Sequence, residues 1–314
     1  MGRSITEGSV DDLLMHVLPL LLESKESIRP TKGRATELRA ADLNLTNPRA
    51  RLSRSETRGR LFSCLGELCW YLSGSDRRDA IAYYISHYAN LGKGDAVPGA
   101  YGPRFRAAHG IDQIQRVVRR LRDNVWSRRA MIQILDPADL VGDDEPPCTC
   151  AMQFFLRDSQ LEMLVYMRSN DVHLGFPHDV FAFTMLQELV ARSLGAEPGL
   201  YTHFVGNLHL YERDRQAAQS FVQEGWQSNI LMPPMPAGDP WESVEWLLGV
   251  EHALRAGADP LLVDFVAAPY WSDLARLLAI HALIKQRRAA DIPGVRSGLS
   301  TSIYDIFITD RLNR

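Results

Sequence analysis

Apolar and polar positions alternate along the chain in stretches whose period identifies the elements. Residues 9–24 carry an apolar run around Leu18–Leu22 flanked by Asp11, Asp12 and Glu23. With no basic segment before it and no small-residue cleavage site after it, the run reads as an amphipathic helix and not as a signal peptide. Residues 28–50 read as a polar loop with strand-like pieces at Glu37–Leu38 and Leu43–Leu45. Over 57–73, Leu61, Leu65, Leu68, Cys69 and Leu72 fall at helical spacing, and Gly74 and Ser75 end the segment. A second helix is predicted over 77–90, a Gly/Pro-rich loop over 91–103 and a helix over 111–124.

The pattern then changes. MIQILD (131–136), CAMQFFLRD (150–158) and QLEMLVYMRS (160–169) are apolar or alternating runs, hence strands, with Asp158–Ser159 as a hairpin turn between the last two. VFAFTMLQELVARSLG (180–195) predicts a buried helix stopped by Gly195, and GLYTHFVGNLHLYERD (199–214) alternates like a strand. Residues 240–256 and 270–288 read as helices. No repeat, low-complexity run or linker divides the chain, so the expectation is one α+β domain over 1–314.

Composition narrows the classes. The 314 residues are 46% hydrophobic and 23% charged with a net charge of −3, enough for a substantial core and without a basic field for nucleic acid or an anionic membrane. No stretch approaches the roughly 20 apolar residues of a membrane span. The expected location is cytoplasmic, where thiols stay reduced and Cys64, Cys69, Cys148 and Cys150 form no disulfide framework.

Candidate chemistry lies in four polar islands. Cys148-x-Cys150 stands alone, and Cys64 and Cys69 are five apart in a helix, so the pattern lacks the paired ligands of a zinc site. If 148–156 is extended, Cys148 and Cys150 share a face; either one is a reactive thiol, or both are inert packing. YMRSNDVHLGFPHD (166–179) groups Arg168 and Ser169, suited to an anion, with Asp171, His178 and Asp179. The plain alternative for Asp179 is a cap on a helix beginning near Val180. Arg128 and Arg129 suit a phosphate dianion or a solvated turn. His209 and Tyr211 share a strand face and suit a sugar hydroxyl, or a structural hydrogen bond.

Taken in order, ELCW (67–70), GAYGPRFR (99–106), IDQI (111–114), SRR (127–129), PPC-x4-QF (146–154), MRSNDVHLGFPHD (167–179) and GNLHLYERD (206–214) resemble the thymidylate synthases over roughly residues 28–215. From about residue 216 the chain matches poorly, and the family's apolar C-terminal lid is not recognisable in IFITDRLNR. The resemblance implies a thymidylate synthase-like α+β fold, a large twisted mixed sheet covered by helices, and a homodimer. It implies a pyrimidine nucleoside monophosphate as substrate, 5,10-methylenetetrahydrofolate as co-substrate and no metal. Cys148 matches the nucleophile that adds to C6 of the base, Glu67 the glutamate organising water and proton transfer, and Tyr101 the tyrosine assisting removal of the C5 proton. Arg168 and Ser169 match phosphate ligands, with Arg29 as a looser match. Arg128 and Arg129 match the pair lent to the partner's active site. Asp171 matches a residue at the folate and base side, where Glu67 and Gly175 also fall, and His209 and Tyr211 match the ligands of the sugar 3′-hydroxyl.

The departures concern the base. Where the family has Pro-Phe-Asn this chain has Pro177-His178-Asp179, and the Asn-to-Asp change also occurs in the family's deoxycytidylate hydroxymethylases. A carboxyl at Asp179 suits cytosine, whose N3 accepts and whose amine donates, whereas an asparagine reads uracil. Thr149 replaces a histidine after the nucleophile, Met167 a glutamine and Asn207 an aspartate, and ISHY (85–88) lacks the folate-side tryptophan. Loss of that shield favours water as the final nucleophile and a hydroxymethyl product. The expectation is therefore C5 hydroxymethylation of CMP or dCMP. The alternatives are C5 methylation of a cytidylate or deoxyuridylate with release of dihydrofolate, and a non-catalytic nucleotide- or RNA-binding relic of the fold. The sugar, ribose or deoxyribose, stays open.

Overall fold

The structure, a computed structural model, describes residues 3–53, 60–90, 94–141, 145–265 and 267–313. Residues 57–59 of the helix expected over 57–73, and 91–93 of the loop expected over 91–103, lie outside them.

Strand β1 (Arg3–Glu7) leads into α1 (Val10–Glu23), whose first turn is capped by Ser9 Oγ accepting the Asp12 N–H at 3.1 Å. After β2 (Ser27–Ile28) comes an eleven-residue strand, β3 (Ala35–Leu45), where the sequence suggested only strand-like pieces in a loop. The outward Glu37, Arg39 and Asp42 hid it, as did Ala40, which sits at φ 54° and interrupts the pairing. Helix α2 (Leu61–Leu72) follows as expected. The helix expected over 77–90 is two short pieces, α3 (Arg78–Ala82) and a 3-10 turn at Ser86–Asn90, and the expected loop contains α4 (Tyr101–Arg106). Helix α5 (Gln113–Asp123) is capped by Asp112, which accepts from the Gln115 N–H at 2.9 Å.

Strands β4 (Met131–Gln133), β5 (Thr149–Arg157) and β6 (Gln160–Met167) form an antiparallel meander. Asp158 and Ser159 both take positive φ, 47° and 59°, as the tight hairpin requires. After β7 (Asn170–Asp171), helix α6 (Gly175–Ser193) begins five residues earlier than expected, and every residue from Phe176 to Ser193 is buried. Gly195, at φ 66°, ends it: the Ala196 N–H returns to Ala191 O at 2.9 Å. Strand β8 (Glu197–Tyr211) and helices α7 (Arg215–Gln223), α8 (Trp241–Arg255), α9 (Pro269–Lys285), α10 (Ile292–Arg296) and α11 (Asp305–Asn313) complete the described chain.

The sheet runs β1-β3-β8-β6-β5-β4, with β2 beside β3 and β7 beside β8. Its pairings are mixed in sense: β1–β3 and β6–β8 are parallel, and β3–β8, β5–β6 and β4–β5 antiparallel. The fold is thus a mixed sheet with helices, of the expected α+β class. Helix α6 lies against its inner face, where the Gln187 amide N–H2 donates to Leu161 O at 2.8 Å and Gly199 O at 3.1 Å. Helix α2 packs on α6, and the C-terminal α8 and α9 pack on α2. One cluster of buried apolar side chains extends from Val10 to Ile308.

Candidate active site

Cys148 immediately precedes β5, half-buried, after the Pro146-Pro147 pair. Its carbonyl accepts the Arg168 N–H at 2.9 Å, and the Arg168 guanidinium donates to Pro147 O at 3.0 Å and Pro146 O at 2.6 Å. Arg168 therefore braces the loop carrying the thiol. Burial pushes that thiol up to about 11, against the pull of Arg168 and Lys32, with Asp179 and Glu145 pushing further upward. The expected shared face with Cys150 is broken by a register shift between Thr149 and Ala151, which places two buried residues, Thr149 and Cys150, in succession. Cys64, Cys69 and Cys150 are buried and free.

Two carboxyl groups face the same interior. Glu67, from α2, is raised to about 7 by burial, even though it receives hydrogen bonds from Tyr71 and Tyr88. Asp179, from α6, is held well above the usual carboxylate range by burial and then by Glu67, although Asn170 Nδ2 donates to its Oδ2 at 2.7 Å. Like charges in one low-dielectric site oppose ionisation of both, which favours the neutral form of Asp179. Its expected alternative as a helix cap is overturned: α6 starts at Gly175, and Asp179 lies inside it. The turn into α6 is instead held by Asp171 Oδ1, which accepts the N–H groups of His173 at 2.8 Å and Leu174 at 3.2 Å. His178 is a link between helices, its Nδ1 donating to Leu174 O and its Nε2 meeting Ser63 Oγ of α2, each at 2.9 Å.

Tyr101 closes the space between these groups. Its hydroxyl accepts the Thr149 N–H at 3.1 Å, its ring stacks on Tyr71 at 5.1 Å, and burial, Asp179 and Cys148 raise its pKa well above the usual phenol value. Ser169 Oγ lies 3.5 Å from His209 Nδ1, and the His209 and Tyr211 rings meet edge to face at 4.8 Å. Asp171 is the pairing partner of His209 across β7 and β8. Gly175 gives close approach: a Cβ there would stand 2.9 Å from Asn170 Nδ2, 3.6 Å from Asp179 Oδ2 and 3.7 Å from Asp171 Cβ.

The structure thus brings together Cys148, Glu67, Tyr101, Arg168, Ser169, Asp171, Gly175, Asp179, His209 and Tyr211. It does not bring in Arg29, Arg128 or Arg129. Arg29 is exposed after β2, and Arg128 and Arg129 are exposed on the loop between α5 and β4, beside the exposed Trp126. The cation that the 29–34 loop does supply is Lys32, 2.6 Å from Glu145, whose charge acts on Cys148, His209 and Tyr211. Sequence reasoning missed Lys32, Tyr71, Tyr88, Asn170 and the buried pair Tyr201 and His203. For the last two a signal existed, since the alternation in GLYTHFV points Tyr201, His203 and Val205 to one face.

On the α2 side of the site, Trp70 and Tyr88 stand edge to face at 5.8 Å beside Glu67, and the Trp70 indole N–H is buried without a partner among the described residues. Among the described residues no group of three or more His, Cys, Asp or Glu is placed to hold a metal ion, and no helix is long and apolar enough to cross a membrane.

Comparisons with known proteins bear on the family and the fold. The family profile described as thymidylate synthase matches residues 53–230. A thymidylate synthase of Mycoplasma pneumoniae is 32% identical over 131 residues, which span 42% of this chain and 44% of that protein. The matched segment is therefore under half of the relative's length. The crystal structure of thymidylate synthase from T4 phage superposes with a TM-score of 0.61 at 23% identity, covering 75% of this chain and 91% of that one, a likeness of fold.

Proposed function

Because the chain belongs to the thymidylate synthase family yet carries at Asp179 a buried carboxyl pushed toward its neutral form, we propose that it hydroxymethylates C5 of a cytidine monophosphate, CMP or dCMP. The observation that carries the reading is the burial of Asp179 beside Glu67 and Asn170. A neutral carboxyl donates one hydrogen bond and accepts another, the complement of cytosine N3 and its amine. Uracil presents the reverse edge and would set donor against donor.

The site residues then take these roles. Arg168 and Ser169 hold the phosphate, joined by Lys32 and by Arg29 once its loop folds over the ligand. His209 and Tyr211 hold the sugar 3′-hydroxyl. Cys148 gives up its proton and adds to C6; the sulfur–carbon bond forms, and the C5–C6 pair moves onto C5. The Asp179 proton at N3 stabilises the charge that develops in the ring. Arrival of a phosphate dianion draws Arg168 from the Pro146 and Pro147 carbonyls, and the thiolate forms as the base is seated over it.

C5 attacks the methylene carbon of methylenetetrahydrofolate, held on the Glu67, Asp171 and Gly175 side, as that carbon's bond to one folate nitrogen breaks. Tyr101 assists departure of the C5 proton, and the electron pair it leaves expels tetrahydrofolate from the second carbon–nitrogen bond, giving an exocyclic methylene that water can add to. Glu67, near neutrality in its acidity, positions a water whose oxygen becomes the new hydroxyl, and Cys148 leaves C6 as the ring double bond returns. The sum is nucleotide plus methylenetetrahydrofolate plus water giving hydroxymethylated nucleotide plus tetrahydrofolate, with no net oxidation of the folate. The segment 85–88, which lacks the family's folate-side tryptophan, supports water as the last nucleophile because the Tyr88 hydroxyl, bonded to Glu67, makes that wall polar.

A homodimer fits the uncovered face of the sheet, where Leu164 and Tyr166 are exposed, and the exposed rim of Val125, Trp126 and Met131 around Arg128 and Arg129. In that dimer the two arginines complete the partner's phosphate site. The test is to incubate the protein with methylenetetrahydrofolate and CMP, dCMP or dUMP, weighing products by mass and following dihydrofolate by absorbance. A cytidylate gaining one hydroxymethyl group without dihydrofolate is the expected result. Dihydrofolate formed with product selects the methyltransferase reading, and turnover of dUMP above both cytidylates overturns the assignment to cytosine.

A further inference from the structure

Behind Asp179 lies a chain of hydrogen bonds that the proposed reaction does not use. Tyr201 Oη and His203 Nδ1 are 2.7 Å apart, His203 Nε2 and Asn170 Oδ1 3.1 Å, and Asn170 Nδ2 and Asp179 Oδ2 2.7 Å. All four side chains are buried, Tyr201 and His203 completely. They come from β8, β7 and α6, so the chain crosses from sheet to helix under the base site.

The direction of the chain follows from its far end. The Tyr201 hydroxyl is sealed in the core, and its hydrogen bond among the described residues is to His203 Nδ1, so its single hydrogen points there. A buried imidazole without a counter-ion stays neutral, and His203 is lowered to about 3 by burial. With Nδ1 accepting, Nε2 carries the hydrogen and donates to Asn170 Oδ1. The Asn170 amide is thereby fixed with Nδ2 toward Asp179, and Oδ2 of Asp179 must accept. The proton of the neutral carboxyl is left on Oδ1. The reverse polarity would leave the Tyr201 hydrogen without an acceptor in the core, which costs about 1–3 kcal/mol.

We propose that the chain Tyr201, His203, Asn170 sets base specificity by fixing which Asp179 oxygen donates and which accepts. This rests on the reading of Asp179 as the cytosine contact. Oδ1–H then serves N3, and Oδ2, with a second lone pair, accepts the 4-amino group beside Asn170. Uracil would place its O4 against an oxygen already committed as acceptor and its N3–H against a donor. Asn170 and His203 are positioning residues, acting only through Asp179. Gly175 belongs to the same device, since a Cβ there would stand 2.9 Å from Asn170 Nδ2 and turn the amide.

The test compares kcat/KM for the cytidylate with that for the matching uridylate in the full-length wild type and in Asn170→Leu, His203→Leu, His203→Gln and Tyr201→Phe. Asn170→Leu and His203→Leu are expected to lower the cytidylate-to-uridylate ratio by roughly ten- to a hundredfold, chiefly through kcat. His203→Gln keeps an N–H donor near the Nε2 position and is expected to hold the ratio within about threefold of wild type. Tyr201→Phe, the mildest change to the core, frees the imidazole tautomer and is expected to lower the ratio by about two- to fivefold. Equal losses for both nucleotides, or an unchanged ratio in Asn170→Leu and Tyr201→Phe, overturn the inference. A wild type that prefers uridylate instead overturns the reading of Asp179 on which it rests, so the two failures are told apart by the unsubstituted enzyme.

Discussion

The Tyr88 hydroxyl lies 3.3 Å from Glu67 Oε1 and donates to it, tying the turn after α3 to the carboxyl on α2. Burial raises Glu67 to about 7, and the Tyr71 and Tyr88 hydrogen bonds oppose that rise by favouring the ionised form. Tyr88→Phe removes one of the two donors. The limb of the kcat–pH profile that reports ionisation of Glu67 is expected near 7 in the wild type and about one unit higher in the variant, a hydrogen bond to a charged group being worth about 1.5–3 kcal/mol. At pH 7 the variant then turns over several-fold more slowly and recovers as pH rises. A limb that stays near 7 refutes the role given to Tyr88.

Cys148 is expected to be a poor nucleophile until substrate is seated. With burial holding the thiol up to about 11, iodoacetamide alkylation of the ligand-free protein should accelerate with pH up to that value. Arg168 lowers the thiol, so Arg168→Gln should slow alkylation at pH 8 by about tenfold for each unit of upward shift. The modified residue is read by peptide mass, with Cys148→Ser as the control that loses both the adduct and turnover. Rapid labelling near pH 7 would show that the thiolate is preformed.

The legible part of this site was the part whose chemistry shows in a side chain's identity. Cys148, Glu67, Arg168 and Asp179 stand in local runs that name themselves, and the long periodic elements α2, α5, α6 and β8 declared their type. The strand β3 did not, because charges on its open face and the twist at Ala40 broke the alternation. Asp179 looked like a cap because α6 opens with Gly175, Phe176 and Pro177, a start that offers no side-chain cap. Asn170, Tyr88 and Lys32 were invisible for another reason: each matters through one contact with a residue distant in sequence. Tyr201 and His203 carried a trace of their place in the alternation of β8, but nothing local said that an asparagine would receive the histidine.

Far from the site, Glu188 on α6 is the keystone of a buried ion cluster. Its Oε1 accepts from Arg49 at 2.7 Å and from the Met235 N–H at 3.1 Å, and its Oε2 from the fully buried Arg51 at 2.5 Å. Burial pushes Glu188 up, but Arg51 and Arg49 outweigh it and the group ends below its usual value. A depressed folded-state value stabilises above the unfolded value near 4.5 and loses that contribution as pH falls through the folded one. Glu188→Gln leaves Arg51 buried without its counter-charge and is expected to cost about 3–5 kcal/mol in denaturant unfolding at pH 7. The penalty should shrink as pH falls below the unfolded value and through the depressed folded-state value, where the wild-type carboxylate is itself titrated. A loss that is the same at pH 7 and at acid pH would assign the cost to packing.

The sharpest prediction concerns conversion of the enzyme to uridylate. Asp179→Asn restores the residue that the family uses to read uracil, yet Asn170 Nδ2 still points at the oxygen beside C4. To serve uracil the new amide must turn its N–H2 group toward O4, the side where Asn170 already donates, and two donors would face each other in a dry site. The alternative rotamer keeps the carbonyl toward Asn170 and presents N–H2 to N3, which suits cytosine in the ground state but supplies no proton to the ring. Asp179→Asn alone is therefore expected to lose about a hundredfold or more of cytidylate turnover, the scale of one general-acid contribution, while cytidylate binding persists and uridylate turnover stays low. Asn170→Ala added to Asp179→Asn releases the amide and should raise uridylate kcat/KM by about tenfold over the single variant. That gain from a second substitution, at a residue that touches no substrate, is the measurement to make. If Asp179→Asn alone turns over uridylate as fast as the double variant, the orientation of the amide is not set by Asn170.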